Sequence, residues 1–295
     1  MEKRRIVCFG EVLWDEFPTY KKIGGAPLNV ALRLASFGND VAMISKVGDD
    51  ALGKDLIAFI DKEGLDIDNI QVDQHHETGR VQVTLDQTGS ATYEIKFPAA
   101  WDFIDVSDNL KKLVGNADAF VFGSLVSRNI ASKSTLLALL KKSKYKVFDV
   151  NLRKPHYTKE ILITLMNEAN FIKFNDDELL ELSRYLGSHK STIEANIQFI
   201  SEMTKTPHIC VTKGGKGAVL FYDGTLYCNQ GYKIEVVDTV GAGDSFLATL
   251  ISQLLNQDSK QKALDIACAV GALVAGSKGA NPVITPLAIN ELMNN

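Results

Sequence analysis

Hydrophobic residues along the chain gather into short unbroken runs, separated by longer stretches with helical spacing. The runs at 6–10, 41–48, 118–123, 145–151, 170–175 and 208–212 are mostly apolar, as in strands buried on both faces. Between them, 26–37, 51–63, 129–142, 158–168 and 176–186 repeat apolar residues at three- and four-residue intervals, which predicts amphipathic helices. This alternation predicts an α/β protein with a parallel sheet covered on both faces. GAVLFYDGTLYCNQG predicts a later hairpin turning at Asp223-Gly224, and helices are expected at 242–256 and 259–275.

One region departs from this rhythm. Residues 79–97 alternate with period two through Val81, Val83, Leu85, Ala91, Tyr93, Ile95 and Phe97, with DQTGS at 86–90 as a hairpin loop. Strands of this kind have one apolar and one polar face, so they predict a separate, half-exposed antiparallel sheet. With 11–22 they would form a small lid over the edge of the main sheet. A plain surface hairpin fits the same periodicity.

Composition narrows the function classes. Of 295 residues, 45% are hydrophobic and 23% charged, with 22 Gly and 7 Pro, which is ordinary for a globular protein. A chain of this length can bury roughly 75% of its unfolded surface, so it needs no disulfide or metal staple. Lys plus Arg number 32 against 36 Asp plus Glu, and a net charge of −4 argues against a nucleic-acid partner. Cys8, Cys210 and Cys268 sit in apolar runs and Cys228 does not; none has metal-site spacing. The five-residue apolar run before Glu11 is too short for a signal peptide, and the longest uncharged apolar stretch, 12 residues from Ile266 to Ser277, is too short to cross a bilayer. The expectation is a soluble, cytoplasmic protein with no membrane partner.

Four segments carry candidate chemistry. In Asp238-Thr-Val-Gly-Ala-Gly-Asp-Ser-Phe246, glycines precede an amphipathic helix. Gly241 and Gly243 allow close backbone approach, and the amides of a helix start suit an anion. Asp244 would stand at the mouth of that anion hole, able to accept a hydroxyl proton; it reads equally as an N-cap. The helix dipole is expected to favour its ionised form. GAGDSF lacks the third glycine of a dinucleotide fingerprint, and no P-loop sequence occurs. In Gly24-Gly-Ala-Pro-Leu-Asn29, paired glycines and Pro27 open a helix, and Asn29 reads as a ligand-facing amide or, more blandly, as a capping or solvent-facing one. Asn175 and Glu178, in NDDE, suit a hydrated magnesium near phosphates and equally a capping box. VTKGGKGA at 211–218 shows a Gly-rich turn.

GGAPLNVALRLASFG near the start and DTVGAGDSF near the end resemble the two signatures of the ribokinase-like (PfkB-type) carbohydrate kinases, with NDDE and VTKGGKGA between them in the expected order. The resemblance spans essentially the whole chain. It implies one kinase domain over 1–295: a doubly wound, mostly parallel sheet flanked by helices, with a β-sheet lid from about 11–22 and 76–103. The implied reaction is magnesium- and ATP-dependent phosphoryl transfer to a sugar hydroxyl.

By this resemblance, Asp244 is the catalytic base, with Gly241, Ala242 and Gly243 as the anion hole. Asp15, Gly25 and Asn29 hold the sugar. Asn175 and Glu178 are the magnesium-associated pair. Thr212, Gly214 and Gly217 approach the nucleotide phosphates, and Gly279 and Asn281 lie beside adenine. Asp238 and the loop near Gly279 resemble a site for a monovalent cation such as K+. Some relatives dimerise through their lids, and the apolar face at 81–97 permits a homodimer here.

For the sugar, GGAPLNVA, PAAWDF, VFGSLVSR and FDVNLRKPHY most resemble bacterial fructokinases, although Lys96 stands about where many carry an arginine. Arg153 is placed to meet a sugar carboxylate, as in 2-keto-3-deoxygluconate kinases, or to form a structural ion pair. The sequence thus points to a fructokinase producing fructose 6-phosphate. Kinases for another sugar or sugar acid, and a silent sugar-binding sensor, stand as alternatives.

Overall fold

A computed structural model describes residues 3–85, 91–256 and 259–294. Its main sheet has nine strands, in the spatial order β13 (Thr225–Asn229), β12 (Ala218–Tyr222), β11 (His208–Thr212), β10 (Phe171–Asn175), β9 (Lys146–Asp149), β8 (Ala119–Gly123), β1 (Arg5–Phe9), β4 (Asp40–Gly48) and β5 (Ile70–Asp73). All neighbours pair in parallel except β11–β12 and β12–β13, so the expected hairpin forms one edge. The β12–β13 turn places Asp223 and Gly224 at positive φ, as a two-residue hairpin requires.

Strand β1 shows why the runs are continuous. Ile6 and Cys8 point into one apolar cluster while Val7 and Phe9 point into another. The first cluster is completed by α1 (Ala26–Ser36), α2 (Ala51–Lys62), α8 (Ala242–Asn256) and α9 (Lys260–Ala275). The second is completed by α3 (Asp108–Asn116), α4 (Ile130–Leu140), α5 (Lys159–Glu168), α6 (Asp176–Tyr185) and α7 (Ile193–Thr204). Helix α10 (Pro286–Asn294) docks Ile289 against Val270 and Val274 of α9. Helices therefore cover both faces of the sheet. Cys8, Cys210 and Cys268 are buried and Cys228 is exposed, all as free thiols.

The strand order reverses around β1, which has β4 on one side and β8 on the other. A crevice opens beyond the carboxyl ends of the strands at such a reversal, and ligands of doubly wound sheets bind there.

A separate four-stranded sheet has the order β3 (Lys21–Gly24), β2 (Leu13–Glu16), β6 (Gly79–Leu85), β7 (Ala91–Ile95). The expected alternation holds on β6, where Val81 and Val83 are buried with Leu13, but only in part beyond it. Ile95 packs against them, whereas Tyr93 and Phe97, in the same phase, are exposed because that apolar cluster does not extend over them. The loop expected at 86–90 lies outside the described residues. The base of this sheet is tied to the main one by Arg128, whose Nε and Nη2 donate to the two carboxylate oxygens of Asp102 at 2.8 Å each. The Arg128 guanidinium also lies 4.0 Å from the centre of the Trp101 ring. No helix among the described residues is long and apolar enough to cross a membrane.

Candidate active site

The start of α8 organises the site. Gly241 has φ +77°, and a Cβ there would fall 2.6 Å from the Ala280 Cα, so the tight entry requires glycine. The first i→i−4 bond runs from the Ser245 N–H to the Gly241 carbonyl at 2.8 Å. The Gly243 and Asp244 amides consequently have no acceptor within the helix. Asp244 is the third helical residue and not a cap.

Asp244 instead meets α1. The Asn29 Nδ2 donates to Asp244 Oδ2 at 2.8 Å, and Asn281 Nδ2 donates to Asn29 Oδ1 at 2.9 Å. Asn29 is 5% exposed, so it is neither a cap nor a solvent-facing amide. The chain Asn281–Asn29–Asp244 also places Asn281 one side chain away from the candidate base, a neighbourhood the expected adenine role did not foresee. Burial, reinforced by Asp149, lifts the Asp244 carboxyl to about 6, against the pull of Asn29, Lys173 and Arg153. The helix-dipole expectation is therefore reversed, because desolvation outweighs the helix start.

Across the crevice, Asp15 on β2 lies over Gly24, where a Cβ would strike its carboxylate. Burial raises Asp15 to about 6, while Arg153 and Lys22 oppose the shift. Gly25 has φ +113° and no room for a Cβ against the Glu11 carbonyl. Pro27 follows in the first turn of α1. Arg153 makes no ion pair among the described residues; its Nη1 donates to the Leu152 carbonyl at 3.0 Å. It acts electrostatically on Glu11, Asp15 and Asp244.

The residues expected on the nucleotide side form a second group. Asn175 and Thr212 are register partners at the ends of β10 and β11. Asn175 and Glu178 do form the reciprocal capping box, with both bonds at 2.8 Å. The other Glu178 oxygen accepts from the Leu152 N–H at 2.8 Å. Among the described residues no three Asp, Glu, His or Cys side chains converge as a metal site. The donor set fits a magnesium that keeps its waters and leans on phosphate oxygens, since such an ion needs only one or two carboxylates.

Gly214 opens a short turn with free space where a side chain would be, as a ligand approach needs. Gly217 is crowded by Asn229 and Gly231 backbone, so its glycine is explained by packing. Asp238 Oδ1 accepts from Val240 N–H at 3.0 Å and Oδ2 from Gly279 N–H at 3.3 Å, while Lys22 Nζ from β3 stands 3.8 Å away.

Comparison with known proteins now decides the family. The model of the "pfkB family carbohydrate kinase" matches residues 3–286. The chain belongs to this family. A curated relative, "Probable fructokinase-6, chloroplastic" of Arabidopsis thaliana, is 30% identical over 99% of this chain and 83% of that protein. The structure is similar to that of a fructokinase from Xylella fastidiosa with bound ATP, at a TM-score of 0.86, 22% identity and 99% coverage of each chain. It is also similar to a Vibrio cholerae fructokinase mutant bound to fructose, ADP and potassium, at a TM-score of 0.84, 24% identity, 99% of this chain and 100% of that one.

Three further buried charged residues of the pfkB kinase lie near these groups, and motif reading did not single them out. Glu11, two residues past the end of β1, is 3% exposed, its Oε2 has no hydrogen-bond partner among the described residues, and burial lifts it to about 7. Lys173 and Asp149 form a buried pair at 3.0 Å below the start of α8. A charged residue inside an apolar run was the available signal for Lys173, and a carboxylate at a strand's end for Asp149.

Proposed function

We propose that this kinase transfers the γ-phosphoryl group of ATP to the 6-hydroxyl of fructose, giving fructose 6-phosphate and ADP. The observation that carries the reading is the Asp244 carboxylate on the first turn of α8, held by Asn29 beside amides that have no helical acceptor. The fructokinase names among the relatives, and the fructose- and nucleotide-bound proteins of the same fold, support the choice of sugar.

Asp15, Gly25 and Asn29 line the sugar side of the crevice and would orient its hydroxyls. The hydroxyl proton passes to Asp244 as the sugar oxygen bonds to the γ-phosphorus. The bond from that phosphorus to the β–γ bridging oxygen breaks, and its electron pair leaves with ADP. The amides at Gly241, Ala242 and Gly243, with that of Asp244, would meet the charge that spreads over the phosphoryl oxygens, the Ala242 N–H also reaching the Thr239 carbonyl at 3.3 Å. Thr212, Gly214 and Gly217 would border the phosphates and Gly279 would lie beside adenine, while Asn281, bonded to Asn29, would instead steady the amide that holds Asp244. Asn175 and Glu178 would hold hydrated magnesium, which neutralises phosphate charge. Asp238 with the Gly279 loop is the candidate site for a monovalent cation.

The four-stranded sheet serves as the lid of one kinase domain over 1–295. The exposed Tyr93 and Phe97 suit pairing of two lids in a homodimer. A cytoplasmic setting, where ATP is available, belongs to the same reading. Arg153, free of ion pairs among the described residues, favours a sugar acid as the second choice of acceptor. Phosphorus NMR of the product from fructose and magnesium-ATP tests the proposal. A phosphomonoester on C6 supports it, and absence of any fructose phosphate overturns it.

A further inference from the structure

One lysine has no part in the scheme above. Lys173 interrupts the apolar strand β10 and is 6% exposed. A buried ammonium is costly unless it is paired, and Lys173 Nζ meets Asp149 Oδ1 at 3.0 Å. The two residues are register partners on the already paired strands β9 and β10, so the ion pair adds no connection that the sheet lacks. Replacing such a pair with apolar side chains often leaves a protein as stable or more so, and fold stability is therefore a poor account of it.

The pair's location is more informative. A Cβ built on Gly243 would lie 3.4 Å from Lys173 Nζ, which places the ammonium directly under the first turn of α8. That turn is the positive end of a helix, so a buried ammonium beneath it is placed unfavourably except for the carboxylates that face it. The carboxylates facing Lys173 are Asp149 at the end of β9, Glu178 on α6 and Asp244 on α8, which outweigh burial and hold it protonated. Asp149 keeps a second oxygen, Oδ2, buried without a hydrogen-bond partner among the described residues. A local arrangement that breaks electrostatic rules points to function at that spot.

We propose that Lys173, oriented by Asp149, is a positioning residue for phosphoryl transfer: a fixed ammonium beneath Gly243 that strengthens the anion hole as charge spreads over the transferred group. The inference rests on the kinase reading above. It gives this chain, from inside the sheet, the cationic charge that a P-loop lysine would otherwise supply.

The test compares Lys173→Met and the double variant Asp149→Asn/Lys173→Met with the wild type. Turnover with fructose is measured beside calorimetric affinity for ADP alone and for ADP with magnesium and aluminium fluoride, a planar mimic of the phosphoryl group in flight. Lys173→Met is expected to lose about 30-fold or more in kcat, with fructose KM and ADP affinity within about threefold. The extra affinity conferred by aluminium fluoride should fall by a similar factor. A kcat within about threefold of wild type, or equal weakening of ADP with and without the fluoride, overturns the inference. If Lys173→Met does not fold, the double variant, which leaves no unpaired buried charge, is judged by the same criteria. Wild-type protein without sugar-dependent ADP release would instead sink the kinase reading and this inference with it. An active wild type with an unimpaired Lys173→Met sinks this inference alone.

Discussion

Asn29 on α1 donates a 2.8 Å hydrogen bond to Asp244 on α8, 215 residues further along the chain. The contact joins the first turn of α1, just after β3, to the first turn of α8. On the proposed reading it would align the sugar side of the crevice with the phosphoryl side, and alignment is most of what phosphoryl transfer asks of a protein. Asp244→Ala should therefore lower kcat by about 100-fold or more while sugar and ATP binding persist. Survival of turnover within about tenfold, roughly 1.4 kcal/mol, would remove Asp244 as the base. Asn29→Ala should raise the fructose KM and move the acid limb of kcat to higher pH, because the lost donor favoured the ionised carboxylate. An unchanged KM would take Asn29 out of the pocket.

The pH dependence of activity and of stability should run in opposite directions. Asp244, lifted by burial to about 6, must be ionised to act as a base, so kcat should rise through that pH. For stability, a carboxyl whose pKa moves from 3.8 unfolded to about 6 folded binds its proton more tightly when folded. Raising the pH through that window therefore lowers stability. Glu11, at about 7, and Asp15, at about 6, act in the same direction. Asp244→Asn should stabilise the protein by about 1 kcal/mol or more at pH 7.5, and the gain should fade below about pH 4. Urea unfolding at both pH values reads this directly. A variant less stable than wild type at pH 7.5 would contradict it.

Asp102 has no solvent-exposed surface, and it accepts two bonds from Arg128 and one from its own turn at Ala99 N–H. Asp102→Ala would leave a buried guanidinium uncompensated, at a cost of about 3–5 kcal/mol in denaturant unfolding. A loss below about 1 kcal/mol would show that water already satisfies this arginine.

Gly241→Ala probes the anion hole without removing a functional group. Its Cβ has nowhere to go but the Ala280 backbone, and φ +77° disfavours any side chain. The loop should shift, and kcat should fall by about tenfold or more with little change in ATP KM. Wild-type kcat would mean that the loop geometry is not what holds the phosphoryl group.

Much of the fold was legible because both faces of the main sheet are buried. Ile6 through Phe9 face two different cores in turn, and an unbroken apolar run is the signature of that arrangement. The reading placed no element at α3, where only Leu110 and Val114 are buried, nor at β5, whose four residues follow no clean pattern. Helix α7 carries Ile197 and Ile200 at helical spacing and was readable by the same rule.

The site divides in a similar way. Glycines with positive φ and the Asn175 cap announce themselves locally, through turns and helix starts. The Asn281–Asn29–Asp244 chain spans 252 residues between its amides, and no local pattern encodes it. Lys173, Asp149 and Glu11 draw their meaning from burial, which spacing alone does not reveal.

The central claim is sugar-dependent phosphoryl transfer with fructose as acceptor. Coupled ADP release with magnesium-ATP, run across fructose, ribose, glucose, mannose, tagatose, 2-keto-3-deoxygluconate and nucleosides, tests it most directly. The account predicts that fructose gives the highest kcat/KM and that Asp244→Ala abolishes its signal. A dominant sugar acid would contradict the fructose assignment and make Arg153 its carboxylate partner, and silence across the whole panel would contradict the kinase itself.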